Sequence, residues 1–420
     1  MKKLILLALL FCSSYPAFPQ LTIDDCYVKA RANYPLIKQY DLIRESKEYN
    51  LSNAGKGYLP QISFSAKASY QSDVTQLPFD FEQLGIPGLD IPTLSKDQYG
   101  AGLEINQVIW DGGAIQSKKE EIHTRSGVEE KSLEVDLYAL NERVNQVFFG
   151  ILLFEARSKQ NKLYQDELKR NYTKVQSWVE NGIANQADLD AIRVEQLKAI
   201  QTEAQLNHSQ EAYRIILSAL TGEDISSAKL LKPQTTEIST AIQRPELDLF
   251  SMQIKNLETR NKRLQAGLMP RLGVFIKGGY GRPGLNMLED DFAAYYLAGI
   301  NLSWNLSGLY TNKNDKRKIR NNIAAVETQQ ETFLFNTRLN ISGKQSEVEQ
   351  YREQLKYDDE IITLRRSIKE ASETKMENGM LSGIDLMRDV NAEEQARQDK
   401  IVHEIQMLSA IYNLKFIGNN

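Results

Sequence analysis

Apolar and polar positions alternate strictly in four short segments of the chain. In residues 61–71, Ile62, Phe64, Ala66, Ala68 and Tyr70 fall on one face, and Ser63, Ser65, Lys67 and Ser69 on the other. Tyr99, Ala101, Leu103 and Ile105 oppose Gly100, Gly102, Glu104 and Asn106. Leu272, Val274 and Ile276 oppose Arg271, Gly273, Phe275 and Lys277, and Tyr296, Ala298, Ile300, Leu302 and Trp304 oppose Leu297, Gly299, Asn301 and Ser303. A period of two predicts β-strands. Strands of about ten residues with aromatics near their ends suit a membrane barrel. The same alternation also suits an ordinary half-buried sheet.

A helical pattern of unusual length follows each strand pair. From Ala114 to near Trp178 there is no proline, and only Gly127 and Gly150 interrupt; from Tyr310 to near Glu377 only Gly343 does. At 1.5 Å per residue, ~65 residues make a rod of about 100 Å, which no compact domain hides. Leu133, Leu137, Leu140, Val144, Val147, Ile151 and Phe154 step alternately by four and three, a coiled-coil seam. Ile341, Val348, Leu355 and Ile362 step by seven. The remaining faces are polar, which suits a helix standing in a wall with water on both sides. Each rod stops at an Asn-Gly pair, Asn181-Gly182 or Asn378-Gly379, a left-handed C-cap signal. Capping patterns at Asn185–Asp188 and Ser382–Asp385 then open helices that reach about Leu220 and Phe416. The first helix opens on a capping box at Thr22–Asp25 and is expected to run to Gly55 or Gly57. Two shorter helices end to end match one long one, which describes a hollow cylinder of paired staves with strands at one end.

The pattern occurs twice. Asn33-Tyr34-Pro35-Leu36 returns as Gln243-Arg244-Pro245-Glu246-Leu247, and Leu59-Pro60-Gln61 as Met269-Pro270-Arg271, both 210 positions later. The Asn-Gly turns with Asp188-Leu189 and Asp385-Leu386 recur 197 positions apart, so one segment of the first copy is 13 residues longer. That segment is the hairpin loop 72–98, rich in proline and acids, where length is tolerated. The organisation reads as a signal peptide over 1–20, a first repeat over 21–230 with hairpin 61–109, a linker over 231–243, and a second repeat over 244–420 with hairpin 271–305.

Lys2 and Lys3, the apolar run Leu4–Phe11 and the small residues after it form a secretory signal. Cys12 stands where a lipoprotein cysteine would, but Phe11 before it is bulky. Removing residues 1–20 takes away two lysines and no acid, moving net charge from −4 to −6, so nothing favours nucleic acid. Cys26 is then the only cysteine and reads as a small buried hydrophobe. His123, His208 and His403 lack partners at metal-ligand spacing, and no catalytic or phosphate-binding motif is present. No enzyme, cofactor or metal is expected. No apolar stretch is long enough for a transmembrane helix, but a barrel could still cross a membrane. Four strands cannot close one alone, so a membrane reading demands oligomerisation.

On Asn33-Tyr34-Pro35, Leu59-Pro60-Gln61, Trp110-Asp111-Gly112-Gly113, both Asn-Gly…Asp-Leu turns and the duplication, the mature chain resembles the TolC-type outer-membrane efflux ducts. The resemblance implies an α+β membrane protein. Each chain of a homotrimer would give four strands to an outer-membrane barrel and its helices to a periplasmic coiled-coil barrel. It implies a passive exit duct of an efflux or type I secretion system, partnered by a periplasmic adaptor, an inner-membrane pump and outer-membrane lipid. A coiled-coil structural or adhesive envelope protein is the alternative. By the resemblance, Asp385, Asp389 and Asp188 are candidates for the tunnel constriction, with Arg388 in place of a second gating acid. Helix capping alone would also explain Asp188 and Asp385. Asn181, Gly182, Leu189, Asn378, Gly379 and Leu386 are candidates for the turns where the adaptor docks. Lys313, Lys316, Arg317, Lys318 and Arg320, with Lys118 and Lys119, read either as a contact to lipid phosphates or as a solvated face.

Overall fold

The computed structural model describes residues 20–75, 93–235, 239 and 241–419. Most of the signal segment (1–19), residues 76–92 of the first hairpin loop and part of the linker (236–238 and 240) lie outside the described residues. In chain order the elements are β1 (Gln20–Leu21), α1 (Ile23–Asn33), α2 (Gln39–Gly55), β2 (Gln61–Tyr70), β3 (Asp97–Trp110), α3 (Ala114–Tyr138), α4 (Leu140–Glu180) and α5 (Gln186–Thr221). They continue with β4 (Lys229–Leu230), α6 (Pro245–Ala266), β5 (Arg271–Arg282), β6 (Ala293–Ser303), α7 (Gly308–Glu377) and α8 (Gly383–Gly418). Two compact units result. One draws on residues 1–39, 132–248 and 330–420, the other on 40–131 and 249–329.

The second unit contains an antiparallel sheet in the order β2-β3-β5-β6. Directly paired residues share a face, and the register brings the apolar positions into rows. Ile62 pairs with Ile105, Ile105 with Ile276, and Ile276 with Ala298. Phe64 and Leu103 continue through Gly278 to Tyr296, and Val274 meets Ile300. A bulge between Val108 and Trp110 sets Trp110 opposite Leu272, which pairs with Leu302. The extra residue therefore turns Trp110 onto the apolar face. The other face carries Ser63, Glu104 and Lys277 in one row and Ser65, Gly102 and Gly279 in another. Phe64 is 71% exposed and Ile300 74%, so the apolar face is bare in the single chain. The outer edges of β2 and β6 have no strand partner among the described residues.

The first unit is helical and has two apolar cores. One joins Ile23, Cys26 and Ala30 of α1 to Val144, Phe148 and Ile151 of α4, Leu217 of α5 and Ile411 of α8. The coiled-coil seam supplies Val144, Val147 and Ile151 to it, and Leu133, Leu137 and Leu140 of the same seam are also buried. Burial raises the Cys26 thiol to about 12. The second core gathers Leu168 and Val175 of α4, Leu189 and Ile192 of α5, Met376 of α7 and Leu386 and Val390 of α8. Among the described residues, no helix is long and apolar enough to cross a membrane.

Two helix expectations need correction. The opening helix does not run through to Gly55. It stops at Asn33, Tyr34 is extended, and Pro35 opens a short 3-10 turn before α2. The ring of Pro35 disfavours helical backbone at the residue before it. In the first long helical stretch the interruption falls at Ala139, and Gly127 and Gly150 lie within helices. Nothing in the local sequence accounts for that break. The second rod is unbroken over the 70 residues of α7.

The repeated proline motif has a common task in both copies. Asn33 donates to the carbonyls of Ala219 (3.0 Å) and Leu220 (3.2 Å) at the end of α5. In the second copy the backbone N–H of Gln243 donates to Gly418 O (2.8 Å) at the end of α8, and Asn419 donates back to Gln243 O (2.7 Å). Arg244 extends this clasp. Its guanidinium lies 4.9 Å from the Tyr138 ring centre and 5.0 Å from that of Phe416, donates to Phe416 O and is paired with Glu246. Both charged side chains are mostly buried. Arg244→Ala therefore leaves a buried carboxylate unpaired, and a loss of about 3 kcal/mol in urea unfolding is expected. Adding Glu246→Ala should recover part of it. An Arg244→Ala loss that the second change does not reduce would show that the pairing contributes nothing.

Candidate functional site

Two helix reversals come together in the first unit, one between α4 and α5 and one between α7 and α8. They are built alike. Gly182 and Gly379 take φ +73° and +71°, which only glycine adopts without strain. The N–H of Ile183 reaches back to Trp178 O (2.8 Å), and that of Met380 to Lys375 O (2.9 Å), the wrapping bonds of a left-handed helix stop. Asn181 donates to Ser177 O (2.7 Å), and Asn378 to Thr374 O (2.8 Å). The Asn-Gly pairs thus satisfy carbonyls that the helix ends would otherwise leave open.

Asp188 joins the two reversals. One carboxylate oxygen accepts from the backbone N–H of Asn185 (3.1 Å), completing a capping box whose other half is Asn185 Oδ1 accepting from Asp188 N–H (3.1 Å). The other oxygen accepts from Gly383 N–H at 2.6 Å, at the first residue of α8. A Cβ on Gly383 would stand 2.6 Å from that of Asp188, so the approach is possible only with glycine there. Asp188 is buried and caps two helices at once. Lys174 of α4 and Glu377 of α7 add an ion pair between the same two reversals.

Asp385 and Asp389 are placed differently. Ser382 is the N-cap of α8: its Oγ accepts from the Asp385 N–H (3.2 Å) and donates to the Asp385 carboxylate (2.7 Å), which lies 3.5 Å from Arg388. The Asp385 side chain is 43% exposed. Asp389 accepts from Ser372 Oγ of α7 at 2.6 Å and is mostly buried. Arg388 approaches both carboxylates. Leu189 and Leu386 lie in the core beneath the turns, so they support the reversals and present no surface. The exposed apolar residues are instead Ile183, Met380 and Ile384. Sequence reading missed them, although two directly follow the glycines it chose.

Beneath the turns lies a charge cluster that no motif announced. Glu393 of α8 is 2% exposed and faces Lys369 of α7 at 2.7 Å, Arg366 at 3.5 Å and Arg397. Lys369 also reaches Glu167 of α4 at 2.6 Å, so one ammonium joins three helices. Burial pushes the Glu393 carboxyl up, but hydrogen bonds and charges from Lys369 and Arg397 outweigh it and hold it below its ordinary 4.5. Burial likewise opposes the charge on Lys369, and its two glutamates outweigh that and raise it. Glu394 next to Glu393 is raised, because burial exceeds the help from Gln398 and Gln160. Among the described residues no group of His, Cys, Asp and Glu is arranged to hold a metal ion.

Residues 26–223 match the family model described as outer membrane efflux protein. The fold is similar to several solved structures. The outer-membrane channel OprN is 14% identical with a TM-score of 0.69, covering 95% of this chain and 90% of that one. The outer membrane protein VceC of Vibrio cholerae is 10% identical with a TM-score of 0.68, covering 94% and 96%. The outer membrane channel MtrE of Neisseria gonorrhoeae is 13% identical with a TM-score of 0.65, covering 94% and 88%. A search of curated proteins found no match. The structural likenesses are of fold. Over the whole chain the fold is that of the TolC-like outer-membrane channels, and the family match over just under half of it supports an outer-membrane location. The family and the similar structures are channels.

Two outcomes follow for the turns. A hydrogen bond to a charged group contributes about 1.5–3 kcal/mol. Asp188→Ala should therefore speed hydrogen exchange at the Gly383 amide at least about tenfold, while Asp190→Ala leaves it unchanged. Equal exchange in all three proteins would mean the bond does not hold the turns in solution. Glu393 has a depressed pKa in the fold, so its contribution is present above its ordinary value and lost as pH falls through the folded value. Stability of the turn region should drop on acidification below about pH 4.5, and Glu393→Gln should flatten that dependence. Lys369 is raised, so its contribution persists throughout this range. An identical acid profile in Glu393→Gln would assign the loss to other groups.

Proposed function

We propose that the chain forms a homotrimeric exit duct, coupled through a periplasmic adaptor to an inner-membrane pump, with no chemistry of its own. One observation carries this reading: a four-stranded sheet whose one face is apolar over most of its length, with Gln107 near one end and Asp97 and Arg282 at the other, and whose two edges are unpaired among the described residues. Lipid tolerates an apolar face but not an open strand edge. Four strands are too few to enclose a lumen, so β6 of one copy must pair with β2 of the next. Three copies would close a barrel of 12 strands, within the known range. An adhesive or structural coiled-coil protein would need no such sheet. On this reading the chain is two repeats, 21–230 and 244–420, joined by a linker over 231–243, with the helices forming a periplasmic tunnel.

The paired reversals suit an adaptor-docking end. Gly182 and Gly379 have open space where a side chain would project, and Ile183, Met380 and Ile384 offer exposed apolar surface beside them. Asp385 is the better candidate for an acidic constriction, because its side chain is exposed while that of Asp389 is mostly buried against Ser372. Arg388 tempers the charge of both. Threefold symmetry would bring three Asp385 carboxylates about one axis.

Native mass spectrometry of the protein in detergent should give the trimer mass; a stable monomer in detergent-free buffer would contradict the duct. Gly379→Val should abolish adaptor crosslinking and leave the trimer assembled, whereas unchanged crosslinking would move docking elsewhere. In planar bilayers, Asp385→Ala with Asp389→Ala should reduce cation selectivity and block by divalent ions. Unchanged selectivity and block would make both acids structural.

A further inference from the structure

The opening turns of α7 carry cations that the fold leaves without counter-charges. Lys313, Lys316, Arg317 and Arg320 are spaced i, i+3, i+4 and i+7, so they line one helix face, and Lys318 flanks them. All are exposed except Lys316, which is half-buried. Among the described residues none of the five has an ion-pair or hydrogen-bond partner. Asp315, the one acid within the run, stands two positions from Lys313 and Arg317 and so faces another way. Elsewhere in this unit cations are commonly paired: Lys47 with Glu130, Lys262 with Glu120, and Arg260 and Arg263 with Glu121.

The position of the stripe identifies its partner. It follows the end of the sheet where all four strands join helices: Gln61 pairs near Asn106, Trp110 with Leu272, and Arg271 with Ser303. Trp304 closes that end by donating its indole N–H to Leu268 O (2.9 Å), and Gly308 at the start of α7 abuts the Leu268 side chain. Along the helix, Lys313 lies about 8 Å beyond Gly308 and Arg320 about 18 Å. The headgroup layer is about 5–8 Å thick on each side of the hydrocarbon, and charge acts about 8–10 Å beyond it at physiological salt. Lys118, exposed, follows Trp110 at nearly the same interval in the first copy. The opposite end of the sheet is net acidic, with Asp73, Asp97, Glu289, Asp290 and Asp291 against Lys96 and Arg282, the last paired with Asp97. Charge is therefore polarised along the strands.

We propose that this stripe binds the phosphate headgroups of anionic phospholipids in the leaflet on the helical side of the sheet, and so sets the depth of the sheet in the membrane. The proposal rests on the membrane reading of the sheet but not on the adaptor or the pump.

The test uses the full protein in nanodiscs of equal parts phosphatidylethanolamine and phosphatidylglycerol, with native mass spectrometry of the lipids it retains. The parent should retain phosphatidylglycerol preferentially. K313Q/K316Q/R317Q/R320Q should lower that preference at least about tenfold, as expected for several cations close to an anionic surface. A control of equal charge loss, K198Q/K344Q/R352Q/K356Q, should keep it. Equal retention by parent and stripe variant overturns the proposal. So does loss of subunits from the stripe variant, which would assign the cations to a neighbouring copy. Unchanged lipid retention with altered anion conductance would assign them to the lumen and overturn it as well. A parent that does not enter nanodiscs at all would instead fail the membrane reading beneath it.

Discussion

A backbone amide in hydrocarbon must find its partner within protein, and that requirement governs this chain. The sheet β2-β3-β5-β6 satisfies its inner ladders but leaves one edge open on each side. Its face of Ile62, Phe64, Ile105, Ile276, Ile300 and Leu302 is compatible with lipid and poorly suited to water. On the proposed reading, neighbouring copies meet both conditions. The bulge before Trp110 belongs to the same design, because it keeps the last residue of β3 on the apolar face where an aromatic can sit at the interface.

The helical unit solves a different problem. Its long helices have polar faces, and their ends are secured by a few buried polar contacts. Asp188 caps α5 and binds the start of α8, Arg244 and Glu246 clasp the end of α8, and Lys369 joins Glu167 and Glu393. Each links parts of the chain distant in sequence. Such contacts are demanding, because removing one partner leaves a buried charge exposed to no solvent. They therefore define one arrangement of the turns.

Much of this was legible in the sequence where the signal is local. Alternation identified all four strands and their faces, and the Asn-Gly pairs located both reversals. The capping patterns at Thr22, Asn185 and Ser382 opened their helices where expected. Contacts across the chain were not legible. Asp188 read as a constriction candidate or as a cap of its own helix, and its bond to Gly383 was hidden because that partner is 195 residues away. Glu393 carried no motif, and its burial depends on where α7 and α4 pass. The break at Pro35 was available from local chemistry, but the apolar pattern on either side obscured it. The glycines at 127 and 150 suggested breaks that neighbouring helix turns override.

The central claim is that the apolar sheet face meets lipid while the paired turns do not. The chain has three tryptophans, and they divide accordingly: Trp110 ends β3, Trp304 directly follows β6, and Trp178 lies beside the first reversal. The direct measurement is fluorescence quenching by brominated phospholipid of variants that retain one tryptophan each. Strong quenching of Trp110 and Trp304 with none of Trp178 is the result this account predicts. Equal accessibility of all three to an aqueous quencher, with no response to the brominated lipid, would contradict it.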